Sequence, residues 1–237
     1  MRTVFVTGAS SDIGLAVCRR YLDAGWQVIG HFRTSRPALE ALAGPRFEPW
    51  CADFADTAAL EATLAADPGF FTRADALVNL AADMTPVRFE EVSAAVLLRM
   101  LAINLVPGLL LMRVMEPAMA ARGFGRIVHA SSIGVKFGGG SDSFCYSLSK
   151  HAQEFIPSAT RRSAAANVLV NVIRVGVTDT RAHLRFPGKS MAERVRLIPR
   201  QRAATPDEMA ETLVWFGSEA NATITGQVIA VDGGMTM

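Results

Sequence analysis

Short strand-like runs, most of them containing valine or isoleucine, fall at residues 3–7, 27–32, 47–51, 76–79, 126–131, 168–175 and 227–231, and between them the apolar residues recur at helical spacing. Such alternation calls for a parallel sheet, because each strand can return to the same edge only through a crossover long enough to hold a helix. Strands this apolar are covered on both faces. The expectation is an α/β fold: a doubly wound parallel sheet of about seven strands with helices on both faces. With 237 residues, half of them hydrophobic, the chain suits a single domain over 1–237. No internal repeat, low-complexity tract or linker interrupts it.

Composition excludes several classes of function. The formal net charge is only +2, too balanced for a nucleic-acid binder. The first strand pattern begins at Thr3 with no basic, apolar and small-residue leader before it, so a cytoplasmic location is expected. The most apolar region, 96–112, is interrupted by Arg99, Asn104 and Pro107; it reads as a buried helix, and no membrane partner is expected. Cys18, Cys51 and Cys145 form no CxxC pair and the histidines show no ligand spacing, which predicts free thiols and no metal. Cys145 reads as a small packing residue.

Three stretches carry chemistry. After the first strand, Thr7-Gly8-Ala9-Ser10-Ser11-Asp12-Ile13-Gly14 leads into a helix. Glycines there let the backbone approach a pyrophosphate, and a helix N-terminus offers N–H groups and partial positive charge. The fifth strand closes on Ser131-Ser132 at the sheet edge where ligands bind in such folds. Tyr146 precedes Lys150 by one helical turn in Ser143-Phe144-Cys145-Tyr146-Ser147-Leu148-Ser149-Lys150, so both heads share a face. An ammonium close to a phenol favours the phenolate and should bring the tyrosine down toward neutral pH.

Together with the closing Val231-Asp232-Gly233-Gly234, these motifs resemble the classical short-chain dehydrogenase/reductase family over essentially the whole chain. The resemblance implies a Rossmann-type domain and an NAD(P)(H)-dependent oxidoreductase that reduces a carbonyl to an alcohol. In its terms the catalytic residues are Asn104, Ser132, Tyr146 and Lys150, with Asn104 holding a helix distortion and a water that relays protons to the lysine. A buried asparagine inside a helix is costly without partners, which independently asks for a reason. Gly8, Ser10, Ser11, Asp12 and Ile13 would hold the cofactor's pyrophosphate. Asp53 and Phe54 would sit at the adenine, and Asn79 and Ala81 at the end of the fourth strand. Gly176, Val177, Thr178 and Thr180 would hold the nicotinamide together with Tyr146 and Lys150. Asp12, Ala82 and Val175 depart from the family pattern, and Asp12 brings a carboxylate toward two phosphates.

At the end of the second strand Phe32 stands where NAD-selecting members carry an aspartate, and Arg33 follows, with Thr34, Ser35 and Arg36 as further donors. No carboxylate is expected nearby. The cofactor is therefore expected to be NADP(H) in preference, with NAD(H) as the lesser choice. Residues 178–205 correspond to the family's substrate lid. Between 181 and 202 lie Arg181, Arg185, Lys189, Arg194, Arg196, Arg200 and Arg202 against Glu193 alone, a local charge of +6. That run suits a small anionic or carrier-bound substrate of the 3-oxoacyl or sugar type, and equally a solvated basic face. A homo-oligomer, dimer or tetramer, is expected from the resemblance. The rival to an enzyme is a dinucleotide-binding sensor or scaffold with weak turnover.

Overall fold

The computed structural model describes residues 1–35, 37–182 and 190–237. Strands β1 (Thr3–Thr7), β2 (Gln27–Phe32), β3 (Phe47–Cys51), β4 (Ala76–Asn79), β5 (Gly125–Ser132), β6 (Val168–Val175) and β7 (Val228–Val231) form one sheet in the order β3-β2-β1-β4-β5-β6-β7. Every pairing is parallel. The strands therefore point their C-terminal ends to one edge, and the winding reverses between β1 and β4. That reversal opens a crevice just beyond Thr7 and Asn79, which are register partners.

The crossovers contain helices α1 (Asp12–Asp23), α2 (Pro37–Glu40), α3 (Thr57–Ala66), α4 (Pro68–Thr72), α5 (Ala94–Asn104), α6 (Val106–Ala121), α7 (Phe144–Ala152), α8 (Thr160–Ala164), α9 (Met191–Val195) and α10 (Pro206–Phe216). Successive residues of β1 serve opposite layers, as the strand period requires. Val4 and Val6 pack with Leu15, Val17, Met209 and Leu213 of α1 and α10. Phe5 packs on the other side with Leu60, Phe71, Leu111 and Met115 of α3, α4 and α6. A capping box starts α10, Thr205 accepting from the Glu208 N–H and Glu208 accepting from the Thr205 N–H.

One expectation is revised here. The apolar stretch is helical from Ala94 to Ala121, long and apolar enough by length and composition to cross a membrane, and less than half of its most apolar 18-residue window is buried. It is broken at Leu105, next to Pro107, and it buries one side only, leaving Leu98 and Leu109 exposed. The helix that carries Tyr146 and Lys150 ends at Ala152, before Pro157, and helical structure resumes only as the short α8.

At the opposite edge of the sheet Arg126 is buried, and its guanidinium is shared among main-chain carbonyls: Nε donates to Ser218 and Asn221, Nη1 to Gly125 and Asn167. Two histidines are also buried. His31 Nδ1 accepts the Gly8 N–H at 3.2 Å while Nε2 donates to the Ala52 carbonyl at 3.1 Å, and its ring stacks on Phe54 with centroids 3.8 Å apart. His129 meets the Asn79 amide through Nδ1 at 3.2 Å. Burial holds both imidazoles neutral, down to about 4 from the ordinary 6.5; the Ala52 carbonyl and Asp53 oppose the shift at His31, and Lys150 adds to it at His129. As pH falls from about 6.5 to about 4, the unfolded chain takes up two protons that the folded one refuses, so stability falls across that window. The loss is at most about 3 kcal/mol per histidine. Thermal midpoints measured from pH 7.5 to pH 4 should decline mainly below 6.5; a midpoint unchanged down to pH 4 would contradict the buried neutral rings.

Candidate active site

The crevice is shaped first by the turn after β1. Gly8 has a φ of +68°, and a Cβ on it would lie 2.9 Å from the Ala81 nitrogen. At Gly14 a Cβ would meet the Gly8 carbonyl at 2.2 Å. Both positions thus require glycine, for the left-handed turn and for the close approach of α1. Ser11 caps α1, its hydroxyl accepting the Gly14 N–H at 3.0 Å and donating to the Gly8 carbonyl at 2.8 Å. The cap is therefore Ser11, and Asp12 occupies the first helical position.

Asp12 does not aim its charge into the crevice undefended. Arg181, from the segment after β6, donates its main-chain N–H to Asp12 Oδ2 at 2.8 Å and its Nε to Oδ1 at 3.0 Å. This contact joins the glycine turn to the start of the expected lid, and nothing in the spacing of residues 12 and 181 announces it. The turn fits a dinucleotide pyrophosphate: it has glycines whose side-chain space is filled by backbone, a capped helix N-terminus, and a carboxylate already matched by a guanidinium.

Thr7 contributes more than its place in the motif suggests. Its hydroxyl donates to Asn79 Oδ1 at 2.8 Å and accepts the N–H groups of Leu80 and Ala81 at 2.9 and 3.0 Å. Asn79, expected at the cofactor, is buried and spends its side chain between Thr7 and His129. It shapes the loop that carries Ala81 rather than offering its amide to the crevice. Asp53 is exposed and accepts the Ala55 N–H, while Phe54 is buried under His31. Gly176, Val177 and Thr178 are buried at the end of β6, with Thr178 donating to the Gly176 carbonyl, and Thr180 is half-buried. Ser10 and Ile13 are half-buried in the turn.

Arg33 is exposed just beyond β2, and its carbonyl lies 3.6 Å from the Cys51 thiol. The expectation that no carboxylate lies near this segment needs correction: Ser35 donates its hydroxyl to Glu40 of α2 at 2.9 Å. Proline starts α2 two residues after Ser35, which folds that glutamate back onto the loop. Arg36 lies outside the described residues, as do Arg185 and Lys189 of the basic run. Within that run Arg181 and Arg202 are already engaged, with Asp12 and with Glu208.

Across the crevice, Ser132 ends β5 and its hydroxyl accepts the Gly134 N–H at 3.1 Å. The same hydroxyl lies close enough to the phenol of Tyr146 to favour its ionised form. Helix α7 presents Tyr146 half-buried and Lys150 buried on one face, and Cys145 is packed inward on another. Ser131 serves the strand end, donating to the Lys150 carbonyl and to Glu154. Asn104 is almost wholly buried; its Oδ1 accepts the Asp83 N–H at 2.6 Å, and its Nδ2 donates to the Asp83 carbonyl and the Ser149 hydroxyl. It pins the loop after β4 to α7.

One expectation about the pair is overturned. The Lys150 ammonium donates to the Ala130 carbonyl at 2.7 Å and to Gln153 Oε1 at 3.1 Å rather than to the phenol. Burial pushes Tyr146 up to about 12 against the opposing hydrogen bond from Ser132. Burial also brings Lys150 down to about 7. Desolvation governs both groups, so the phenol is neutral near pH 7. Asp83, Ser149 and Gln153 belong to this site and were not singled out from the sequence, because their contacts cross between elements.

The family described as "Enoyl-(Acyl carrier protein) reductase" matches residues 8–236. Among curated proteins, the 3-oxoacyl-[acyl-carrier-protein] reductase MabA of Mycobacterium tuberculosis (strain ATCC 25618 / H37Rv) is 29% identical, covering 100% of this chain and 93% of its own. Among solved structures, a provisional NAD(P)-dependent gluconate 5-dehydrogenase from Beutenbergia cavernae with NADP at low occupancy is 35% identical. It covers 99% of this chain and 96% of its own, at a TM-score of 0.88. A 3-oxoacyl (acyl-carrier-protein) reductase from Agrobacterium tumefaciens C58 with NADP bound is 30% identical, covering 98% of this chain and 93% of its own, at a TM-score of 0.81. A glycine-turn crevice faced by Ser132, Tyr146 and Lys150 on a seven-stranded parallel sheet agrees with these likenesses, and the chain belongs to the short-chain dehydrogenase/reductase family of NAD(P)-dependent oxidoreductases acting between alcohols and carbonyls.

Proposed function

We propose that this protein reduces the carbonyl of a small anionic or carrier-bound substrate, of 3-oxoacyl or sugar type, with NADPH as its preferred reductant. The observation that carries the reading is the placement of Tyr146 and the buried Lys150 on one face of α7 beside Ser132 at the end of β5, across the crevice from the glycine turn. When bound, the dinucleotide supplies the hydride. Tyr146, neutral near pH 7, holds the proton that the developing alkoxide needs, which is the state an acid requires for reduction. Ser132 orients the carbonyl through the hydroxyl that already meets the phenol. Lys150 has two of its three protons on fixed acceptors, Ala130 O and Gln153 Oε1, and offers its remaining donor to the nicotinamide ribose. Asn104 fixes the geometry of α7 behind them.

Gly8, Ser10, Ser11, Asp12 and Ile13 receive the pyrophosphate, Arg33 the 2′-phosphate, and Asp53 with Phe54 the adenine. Ala81 with Gly176, Val177, Thr178 and Thr180 bounds the nicotinamide end. The lid is assigned to 178–205, and the anionic substrate class rests on Arg194, Arg196 and Arg200, which carry charge in that segment. The structural relatives with bound NADP support the cofactor reading. A homo-oligomer is supported by the exposed Leu98, Leu109 and Phe155.

Three measurements test this. Tyr146→Phe should lower kcat by about 10²- to 10⁴-fold while the Kd for NADPH changes little, as read by nucleotide fluorescence titration. A variant with parental turnover would remove Tyr146 from the reaction, and a parent that binds NADPH without consuming it against a carbonyl panel would favour the sensor. Arg33→Ala should cut the kcat/KM preference for NADPH over NADH by roughly tenfold or more, and an undiminished preference would reassign phosphate recognition. Arg181→Ala strips the Asp12 carboxylate of its guanidinium and should raise the Kd for NADPH by about tenfold. Adding Asp12→Gly should restore it, and equal affinities in all three proteins would show that the ion pair has no bearing on the cofactor.

A further inference from the structure

Gln153 closes a bridge inside the active site. It lies one turn after Lys150 as the C-cap of α7 and is 5% exposed. Its Oε1 accepts a Lys150 ammonium proton at 3.1 Å, and its Nε2 donates at 2.6 Å to the main-chain carbonyl of Asn104, which lies where the run from α5 to α6 breaks. The resemblance to the family places a proton-relaying water between that asparagine and the lysine. In this chain a side-chain amide spans the same two groups. An amide fastened at both ends donates from nitrogen and accepts at oxygen, and unlike a water it cannot turn to pass a proton along.

We propose that Gln153 is a positioning residue for Lys150: anchored to the Asn104 carbonyl, it holds the ammonium by a fixed dipole and closes the connection between the lysine and the α5–α6 break. The inference rests on Lys150 being the lysine of the proton-transfer pair. The bridge faces few competing charges. On α7 itself the neighbour is Tyr146, and Glu154, just past the helix end, is held by Ser131 and Arg174 of β5 and β6. From β5 the neutral His129 faces the lysine. From α5 and the loop after β4 come only Asn104 and Asp83, the latter paired with Arg99. No ion pair to Lys150 exists among the described residues, so Gln153 and the Ala130 carbonyl are the acceptors that hold its charge. Behind the amide the pocket wall is mostly apolar, with Leu105, Met112 and Ile156, and His129 as its polar member.

The test reads the lysine directly and needs no turnover. The chain has three lysines, Lys136, Lys150 and Lys189, so the Cε resonances of protein labelled with 13C-lysine can be followed through a pH titration without cofactor, using Lys136→Arg and Lys189→Arg for assignment. Gln153→Leu removes the acceptor and should move the Lys150 midpoint down by about one pH unit. Gln153→Glu keeps an acceptor and adds a charge, and should move it up by a similar amount. That order, leucine below parent below glutamate, is the expected result. Superimposable curves for parent and Gln153→Glu would overturn the proposal, including where the leucine variant fails to fold. Separated curves alongside a Tyr146→Phe protein of parental turnover would uphold the bridge while removing the catalytic reading.

Discussion

The Thr7 hydroxyl sits where β1 and β4 part and makes three hydrogen bonds at once, to the Asn79 side chain and to two successive main-chain N–H groups of the following loop. A parallel sheet that reverses its winding must leave strand-end groups without a ladder partner at the reversal, and leaving such groups buried and unpaired costs about 1–3 kcal/mol each. Thr7 satisfies them locally, which fixes Leu80 and Ala81 against Gly8 and gives the crevice its floor. The glycine then becomes obligatory because the loop held by Thr7 occupies the space a side chain would need. Floor, turn and helix N-terminus follow from this one arrangement.

On the opposite wall burial sets the chemistry. Charges that attract in water are dominated by desolvation here, so the tyrosine is held as a neutral acid and the lysine is brought close to neutrality of its own. Neither group is anchored to a carboxylate. Each is held by dipoles, those of Ser132, Ala130 and Gln153, and their protonation therefore responds to whatever charge a ligand brings into the crevice. A site built this way is tuned by occupancy, with the polyanionic end of a dinucleotide and its hydroxyl-bearing ribose as the natural perturbants.

Local order was readable from the sequence to a large extent. The runs at 3–7, 27–32, 47–51, 76–79 and 168–175 coincide with strands, the fifth falls one residue short at each end and the seventh starts one residue early; the signal is clearest where both faces are buried and the apolar run is continuous, as in β1 and β4, whereas β3 is mostly exposed. The glycine turn and the Tyr146–Lys150 face were likewise visible, since each is a matter of neighbours within a few residues. What spacing could not show are contacts between distant segments: Arg181 to Asp12 across 169 positions, Gln153 to Asn104 across 49, Thr7 to Asn79 across 72. The same limit explains why the basic run looked more available than it is, two of its arginines being matched by acids that lie outside it. The lowered tyrosine was misjudged for a different reason, since pairing was weighed and the loss of water was not.

Arg126 closes a loop without a covalent bond. Its guanidinium ties β5 to the carbonyls of Asn167, Ser218 and Asn221, the last 95 positions away. All its hydrogen-bond acceptors are neutral main-chain groups, and a lysine has no planar fork with which to reach the same set. Fraying of the segment after α10 must then strip a dehydrated cation of its partners in the middle of the sheet, a step as costly as opening the core itself. Hydrogen exchange should accordingly report the C-terminal strand and β5 as parts of one cooperative unit, with the amides at this edge among the last to exchange and the crevice edge opening first.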